Sequence, residues 1–131
     1  MTDKKKVFLI DDDHIVLKVV SKLFREYDVE IFTFTDPTVA LEEMKSLKPE
    51  LVFLDYNMPL MDGMEVIIKV SEIKLFSHSS LYLLSSSQFS DFDQMKLKTL
   101  GFYGILSKPL KVNDIESIFL EHFGSVPRQA A

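Results

Sequence analysis

Polar side chains with the potential for chemistry follow four short apolar runs of the sequence. They are Asp11–Asp13, Asp55, Ser85–Ser87 and Lys108. Three kinds of group are represented: carboxylates, hydroxyls and one ammonium. If the four runs are neighbouring parallel strands, their carboxyl ends meet at one edge of a sheet, which is where open α/β sheets bind ligands. The spacing therefore predicts a single polar site assembled from distant parts of the chain.

The acidic members of this set predict a metal site. Closely packed carboxylates repel one another, and a bound cation allows all of them to stay ionised. The chain has no cysteine, and its three histidines are scattered. Oxygen ligands of this kind favour a hard ion, Mg²⁺ rather than Zn²⁺. A carboxylate beside such an ion is a known nucleophile for phosphoryl groups, and a nearby lysine neutralises the charge on the transferred group.

Each of these residues also has an ordinary explanation. Asp13 fits the role of a helix N-cap, because aspartate is favoured there. Ser85 alone would be a turn hydroxyl, and Lys108 alone would be a solvated surface charge. Asp55, in contrast, ends a run of four apolar residues, so we expect its carboxylate to be partly desolvated. The functional interpretation depends on all of them meeting at one edge.

Five apolar runs predict the strands that must position these groups. They are Val7–Ile10, Glu30–Phe34, Leu51–Leu54, Leu81–Leu84 and Tyr103–Leu106. Most of the runs are continuously apolar rather than alternating. That pattern is typical of strands covered on both faces, as in a parallel sheet.

Helical spacing of apolar residues recurs after each predicted strand. The five predicted stripes are Ile15, Val16, Val19, Val20, Leu23 and Phe24; Ala40, Leu41, Met44 and Leu47; Met64, Ile67, Ile68 and Leu75; Phe92, Met95 and Leu100; and Val112, Ile115, Phe119 and Phe123. Asp36 followed by Pro37 predicts the start of the second helix. Gly101 is placed to end the fourth, and Asn113 or Asp114 lies near the start of the fifth.

Strict strand–helix alternation predicts an α/β fold: a five-stranded parallel sheet with right-handed crossovers and five helices on both faces. At 131 residues the chain has room for one domain. We place that domain at residues 1–124 and expect 125–131 to be a disordered tail or the start of a linker. Neither a G-x-G-x-x-G nor a G-x-x-x-x-G-K-[ST] motif is present, which argues against those nucleotide-binding classes.

Charge and hydropathy narrow the setting in which the protein works. The net charge of −5 argues against nucleic acid as a direct partner. No apolar run approaches the length of about 18 residues that a membrane span needs, so we expect no membrane partner. The basic N-terminus precedes an apolar run of only four residues, too short for a signal peptide. We therefore expect a cytoplasmic protein.

With these residues in view, the sequence resembles the receiver domains of two-component response regulators, in the single-domain form of the chemotaxis regulators. The resemblance covers residue 5 to about 123. It rests on the strand ending in Asp11-Asp12, the string from Leu54 to Gly63 (LDYNMPLMDG), the strand ending in Ser85-Ser86, and Lys108-Pro109. It implies a flavodoxin-like (βα)5 fold with strand order 2-1-3-4-5. It also implies a bacterial phosphorelay protein.

The resemblance assigns a role to each matched position. Asp55 is the phosphoacceptor, which takes a phosphoryl group from the phosphohistidine of a sensor histidine kinase or a histidine phosphotransfer protein. Asp12 binds Mg²⁺ directly and Asp11 through water, with Asp55 and the backbone carbonyl of Asn57 as further ligands. Lys108 pairs with the phosphoryl oxygens, and Ser85, next to Ser86, is the switch hydroxyl. A cis Lys108–Pro109 bond orients the lysine, and Asp62 and Gly63 shape the loop that enters the third helix.

One position departs from the family pattern. Three residues before the lysine the family usually has Tyr or Phe, whose ring changes rotamer with the switch hydroxyl, and here Ile105 occupies that place. An aliphatic side chain has no ring to move, so the aromatic half of the usual switch lacks its residue. Strand alternation predicts that Tyr103 shares a face with Ile105, but we do not assign it the role.

The leading hypothesis is a switch in which phosphorylation of Asp55 changes the face built by the fourth helix, fifth strand and fifth helix, for an unidentified downstream protein. In this hypothesis the protein is no enzyme beyond its own phosphorylation and dephosphorylation. Two alternatives stay open. A receiver fold could serve as a phosphate-independent docking module, which Ile105 favours. A haloacid-dehalogenase-type phosphohydrolase would use Asp11 and Asp13 as its D-x-D pair.

Overall fold

The computed structural model describes residues 4–56, 78–86 and 88–129. Within these ranges five strands form one parallel sheet in the order β2-β1-β3-β4-β5. The strands are β1 (Lys5–Ile10), β2 (Val29–Phe34), β3 (Leu51–Asp55), β4 (Ser80–Ser85) and β5 (Phe102–Ser107). The fold class and strand order predicted above are confirmed. The register places Ile10 beside Leu54, so the carboxyl ends of β1 and β3 lie side by side.

Four helices lie in the described residues: α1 (His14–Leu23), α2 (Pro37–Leu47), α3 (Asp91–Thr99) and α4 (Val112–Phe123). The last two are the fourth and fifth predicted helices. The third predicted stripe, from Met64 to Leu75, lies outside the described residues. No helix of the described part is long and apolar enough to cross a membrane.

The sheet is covered on both faces. On one face, α2 and α3 bury Ala40, Met44 and Leu97 against the sheet. On the other, α1 and α4 bury a larger aromatic core that includes Phe24 and Phe119. β3 lies between the two cores and is buried along its whole length, which explains its continuously apolar sequence.

Several helix ends follow the predicted signals. Asp13 caps α1, where its carboxylate accepts a hydrogen bond from the Ile15 N–H at 2.9 Å. Asp36 caps α2 in the same way, with Pro37 at the first helical position. Gly101 follows α3 with a φ of 107°, in the left-handed region that favours glycine. At α4 the N-cap is Lys111, whose N–H donates to the Asp114 carboxylate at 3.3 Å.

The predicted stripes locate the helices but misjudge which side chains they bury. In α1 the buried residues are Leu17 and Val20, whereas Ile15 and Val19 are 63% and 58% exposed. In α3, Leu97 is buried and Met95 is 69% exposed. The cause in α1 is that apolar residues lie on two sides of the helix, so periodicity alone does not select the side that faces the sheet.

The C-terminal segment up to residue 129 is ordered against the domain, unlike the disordered tail that we expected. Arg128 forms an antiparallel bridge with Tyr27, and the Asp28 N–H donates to the Pro127 carbonyl at 2.6 Å. The Gln129 N–H donates to the Glu26 carbonyl at 3.1 Å. Main-chain hydrogen bonds thus attach this segment to the chain just before β2, a long-range pairing that carries no local sequence signal. The boundary at residue 124 stays a prediction.

Candidate functional site

Three carboxylates meet at the carboxyl edge of the sheet, as predicted. One oxygen from each of Asp11, Asp12 and Asp55 lies within 4.8 Å of the others. Asp11 and Asp55 are buried, with 5% and 1% of their surfaces exposed, while Asp12 is exposed. The cluster forms because β1 and β3 are neighbours in the sheet, with Asp11 directly after β1 and Asp55 at the end of β3. All ligand atoms are oxygens, a donor set that suits Mg²⁺.

Asp11 is held in place from two sides. Its N–H donates to the Phe34 carbonyl at 3.0 Å, and its carboxylate accepts from the Asp13 N–H at 3.0 Å. The pKa of Asp11 is raised to about 6, chiefly by burial and also by the charges of Asp55 and Asp12. The Asp13 N–H and the Lys108 charge oppose this shift. The pocket thus contains more negative charge than its one lysine balances, which is the electrostatic condition that favours a cation.

Asp13 does not belong to the cluster. Its carboxylate turns to the start of α1 and accepts from the N–H groups of Ile15 and Val16. The three consecutive aspartates therefore have two different roles. Asp13 caps α1, whereas Asp11 and Asp12 face the pocket. The helix-capping explanation given above for Asp13 is confirmed.

Lys108 brings the positive charge. Its ammonium forms an ion pair with the Asp55 carboxylate, and its side chain is 29% exposed. The Lys108 N–H donates to the Ser85 carbonyl at 3.0 Å, which joins the ends of β4 and β5 at the pocket. The Lys108–Pro109 peptide bond is cis. Leu110, the residue after Pro109, is buried in the aromatic core and anchors the chain there.

Ser85 ends β4 and is buried beside the pocket, with 1% of its surface exposed. Its partner in the sheet register is Ser107, the residue before Lys108. Ser86 is exposed. Asn57, Asp62 and Gly63, to which the resemblance assigned roles, lie outside the described residues.

Ile105 packs against the core on the face covered by α2 and α3. It lines a cavity of about 240 Å³ together with Phe89 and Gln94. Phe89 in turn meets the ring of Tyr56 edge-on, with 5.2 Å between ring centroids. Sequence patterns did not single out this aromatic pair, because its members lie 33 positions apart in two different loops. Only the position of Tyr56, next to Asp55, hinted at it.

The prediction that Tyr103 lies on the same face of the sheet as Ile105 is wrong. The register between β4 and β5 shifts at this point, since Leu81 pairs with Phe102 and Tyr82 with Gly104. Tyr103 is the extra residue of this β-bulge, and a bulge breaks strand alternation. Its ring therefore contacts Tyr82 and His122 on the opposite face from Ile105.

A five-stranded doubly wound sheet with an acidic pocket at its carboxyl edge, where a buried aspartate pairs with a lysine, defines a receiver-type α/β domain. The family model for the response regulator receiver domain matches residues 7–119. The chain belongs to this family.

Individual relatives support the assignment. Protein PilG of Pseudomonas aeruginosa is 25% identical over 95% of this chain and 91% of its own length. The protein-glutamate methylesterase/protein-glutamine glutaminase of Bdellovibrio bacteriovorus is 29% identical over 83% of this chain, but the match spans 31% of that protein. The next relatives are matched over 18% and 7% of their lengths, so the chain corresponds to one part of these larger proteins. Relatives come from bacteria, plants and fungi.

Solved structures share the fold. The chemotaxis protein CheY4 of Vibrio cholerae matches with a TM-score of 0.79 at 22% identity, over 92% of this chain and 99% of that one. A second match is the co-crystal structure of the Saccharomyces cerevisiae histidine phosphotransfer protein Ypd1 with the receiver domain of Ssk1. Its TM-score is 0.78 at 17% identity, over 93% of this chain and 90% of the matched chain.

Proposed function

We propose that this protein is a phosphorylation-controlled signalling switch that accepts a phosphoryl group on Asp55 from a phosphohistidine. The observation that carries the proposal is the buried Asp55 carboxylate, ion-paired with Lys108 and adjacent to Asp11 and Asp12. Among the described residues, Asp55 is the acidic member of this cluster that also pairs with the lysine. Asp55 is therefore the residue that we propose as the oxygen nucleophile.

The transfer itself needs little from the protein. A carboxylate oxygen of Asp55 attacks phosphorus, the phosphorus–nitrogen bond of the donor breaks, and its electron pair stays on the imidazole nitrogen, which takes up one proton from solvent. The product is an acyl phosphate on Asp55 and a neutral histidine. The Lys108 ammonium neutralises charge on the phosphoryl oxygens, so the ion pair with Asp55 is exchanged for one with the new group.

Asp11 and Asp12 fit the role of Mg²⁺ ligands. Both present carboxylate oxygens within 4.8 Å of Asp55, and burial together with the neighbouring carboxylates raises the pKa of Asp11. Asp12 would hold the ion directly and Asp11 through water, with Asn57, outside the described residues, as a backbone ligand. The bound ion would neutralise charge on the phosphoryl group during transfer.

The new phosphoryl group would act on the rest of the domain through Ser85 and Lys108. The two residues are linked by the hydrogen bond from the Lys108 N–H to the Ser85 carbonyl. Ser85 ends β4, and Lys108 follows β5, the strand that α3 contacts. A shift of either one toward the phosphoryl oxygens would bias the face formed by α3, β5 and α4. That face is the proposed docking surface for an unidentified downstream protein.

The exposed side of α1 supports a protein as phosphoryl donor. Ile15, Val16 and Val19 expose 63%, 37% and 58% of their surfaces, and the helix begins directly after the acidic cluster. An apolar surface beside the pocket suits a sensor histidine kinase or a histidine phosphotransfer protein. The use of Asp13 as a helix cap disfavours the phosphohydrolase alternative, which needs Asp13 in the pocket.

Labelling with a small phosphodonor tests the proposal. Wild-type protein incubated with acetyl phosphate and Mg²⁺ should gain the mass of one phosphoryl group, located on Asp55 by peptide mapping. Asp55→Asn should abolish labelling. The matched control is Asp13→Asn, which changes an aspartate of the same edge and keeps a good N-cap, so it should still be labelled. Equal labelling of Asp55→Asn would overturn the assignment.

A second measurement separates the switch from the phosphate-independent docking module. A partner recovered with the wild type should change its affinity when Asp55 carries beryllofluoride, a phosphoryl mimic. An unchanged affinity, with labelling intact, would favour the docking module.

A further inference from the structure

A groove runs between α1 and the edge strand β2, on the face of the sheet that α1 covers. It has a volume of about 430 Å³ and is lined by Lys18, Ser21, Lys22, Arg25, Thr33 and Thr35, among others. Thr33 and Thr35 continue the side of β2 on which Val29 and Ile31 are packed into the core. The groove therefore exists because β2 changes from apolar to polar side chains along this side.

Among the residues that the structure describes, the charged side chains lining the groove are all basic. Lys18 and Lys22 are four residues apart on one side of α1, and Arg25 follows the end of the helix and lines the same groove. Its lining contains no acidic residue, and none of the ion pairs formed within residues 4–56, 78–86 and 88–129 involves these three cations. Like charges at this spacing destabilise a helix. Their concentration in a protein of net charge −5 indicates an anionic ligand.

The wall opposite α1 offers main-chain hydrogen bonds. β2 is an edge strand of six residues without proline. The Phe34 carbonyl accepts from the Asp11 N–H, so Phe34 and its alternate residues point toward β1. By the alternation of a parallel ladder, the N–H and C=O groups of Ile31 and Thr33 point away from the sheet. An extended peptide can pair with such an edge as an added strand.

From the charge and the open edge together, we propose that this groove binds an extended acidic segment of a partner protein. The segment adds to β2 as a further strand and places carboxylates against Lys18, Lys22 and Arg25. A second copy of this chain fits less well, because antiparallel pairing of two β2 strands would bring six of these cations to one face of the joined sheet. A nucleic acid fits less well because the acidic pocket lies at the end of the same helix.

This binding site is independent of the proposed function, since its residues take no part in the acidic pocket. The test therefore uses unphosphorylated protein in metal-free buffer. The probe is a fluorescein-labelled heptapeptide of alternating Glu and Val, and binding is followed by fluorescence anisotropy. Its control is the same peptide with Gln in place of Glu. We expect saturable binding of the Glu peptide, weakened by added salt, and no comparable binding of the Gln peptide.

Two kinds of variant separate the charge from the strand edge. Lys18→Gln/Lys22→Gln/Arg25→Gln should weaken binding by about tenfold. The matched control Lys96→Gln/Lys98→Gln/Lys111→Gln removes three exposed cations on and near α3 and α4 and should bind like the wild type. Thr33→Pro removes one outward N–H, keeps the cations, and is tolerable on an edge strand; it should also lose binding while circular dichroism stays unchanged.

Any of four results would overturn the proposal. These are no binding of the Glu peptide to the wild type, equal binding by the triple groove variant, equal binding by a folded Thr33→Pro variant, and binding of a DNA duplex in preference to the peptide. Light scattering adds a fifth: a dimer of the wild type that Thr33→Pro dissociates would assign the edge to a second copy instead.

Discussion

Asp11 is the residue at which burial and like charge act together. Its carboxyl is buried, its pKa is raised to about 6 by that burial and by Asp55 and Asp12, and the ordinary value is 3.8. The folded state therefore holds a proton that the unfolded chain has already released between about pH 4 and pH 6. Stability falls as the pH rises through this window, and the loss is complete above the folded pKa.

Asp11→Asn should consequently stabilise the metal-free protein at pH 7. A raised pKa of this size corresponds to about 1–3 kcal/mol in the free energy of unfolding. Urea unfolding at pH 4.5 and pH 7.5 would measure it, and the gain should appear at the higher pH. Asp13→Asn, at the exposed helix cap, should change stability much less. A less stable Asp11→Asn protein at pH 7.5 would contradict the electrostatic account.

The pH dependence of stability expected from His122 has the opposite sign to that expected from Asp11. Its ring nitrogens lie 2.5 Å from the Tyr82 hydroxyl and 3.2 Å from the Ser80 hydroxyl. Burial lowers its pKa below the ordinary 6.5, and the Glu121 charge opposes that shift. A histidine kept neutral by folding contributes stability that is fully present above pH 6.5 and is lost as the pH falls through the folded pKa.

The difference in unfolding free energy between the wild type and His122→Gln should therefore shrink as the pH falls below 6.5. The contribution of Asp11 is common to both proteins and cancels in this difference. Denaturant unfolding of the two proteins at several pH values between 5 and 8 would record it. A difference that grew on acidification would mean that the folded protein favours the charged ring.

At the scale of the element, α1 carries apolar side chains on two sides. Leu17 is 6% exposed and belongs to the core, whereas Val19 is 58% exposed. Leu17→Ala should lower the free energy of unfolding by about 2–4 kcal/mol, because it leaves a cavity in a packed core. Val19→Ala should cost less than about 0.5 kcal/mol. Thermal and urea unfolding of the two variants would check this, and equal effects would contradict the observed orientation of the helix.

The bulge in β5 shows how one irregularity redirects a side chain. Strand alternation placed Tyr103 beside Ile105, but the extra residue turned it toward His122, where its hydroxyl donates to Glu121 at 2.5 Å. The buried face of α1 and the side of Tyr103 were unpredictable for a shared reason. Both depend on which neighbouring element packs against them, and local periodicity does not contain that information.

At the scale of the whole molecule, charge is separated. The acidic pocket lies at the carboxyl edge of the sheet, and the basic groove lies along α1 beside β2. The net charge of −5 is a sum over the whole chain and does not give the local charge of either region. The proposed Mg²⁺ site lies in the acidic pocket, and the proposed peptide site lies in the basic groove.

Mg²⁺ should stabilise the whole domain if the pocket binds it. Binding to the folded state alone adds about 2.7 kcal/mol at a hundredfold excess over Kd, which for a domain of this size raises Tm by roughly 5–10 °C. Differential scanning calorimetry with and without Mg²⁺ would show it. Asp12→Asn should lose most of the increase, and Asp13→Asn should keep it. An equal increase in Asp12→Asn would place the ion elsewhere.

The sequence by itself determined the alternation of strands and helices, the caps at Asp13 and Asp36, and the candidate pocket residues at the strand ends. These follow from local periodicity, local capping chemistry and the rule that parallel strands end at one edge. The tertiary structure alone decided that Leu17 rather than Val19 enters the core, that Tyr103 leaves the face of Ile105, and that Arg128 pairs with Tyr27. It also brought Phe89 to Tyr56 and set the α1 cations beside an open edge. Each of these depends on contacts between residues far apart in the chain, and only the packing of the complete sheet brings them together.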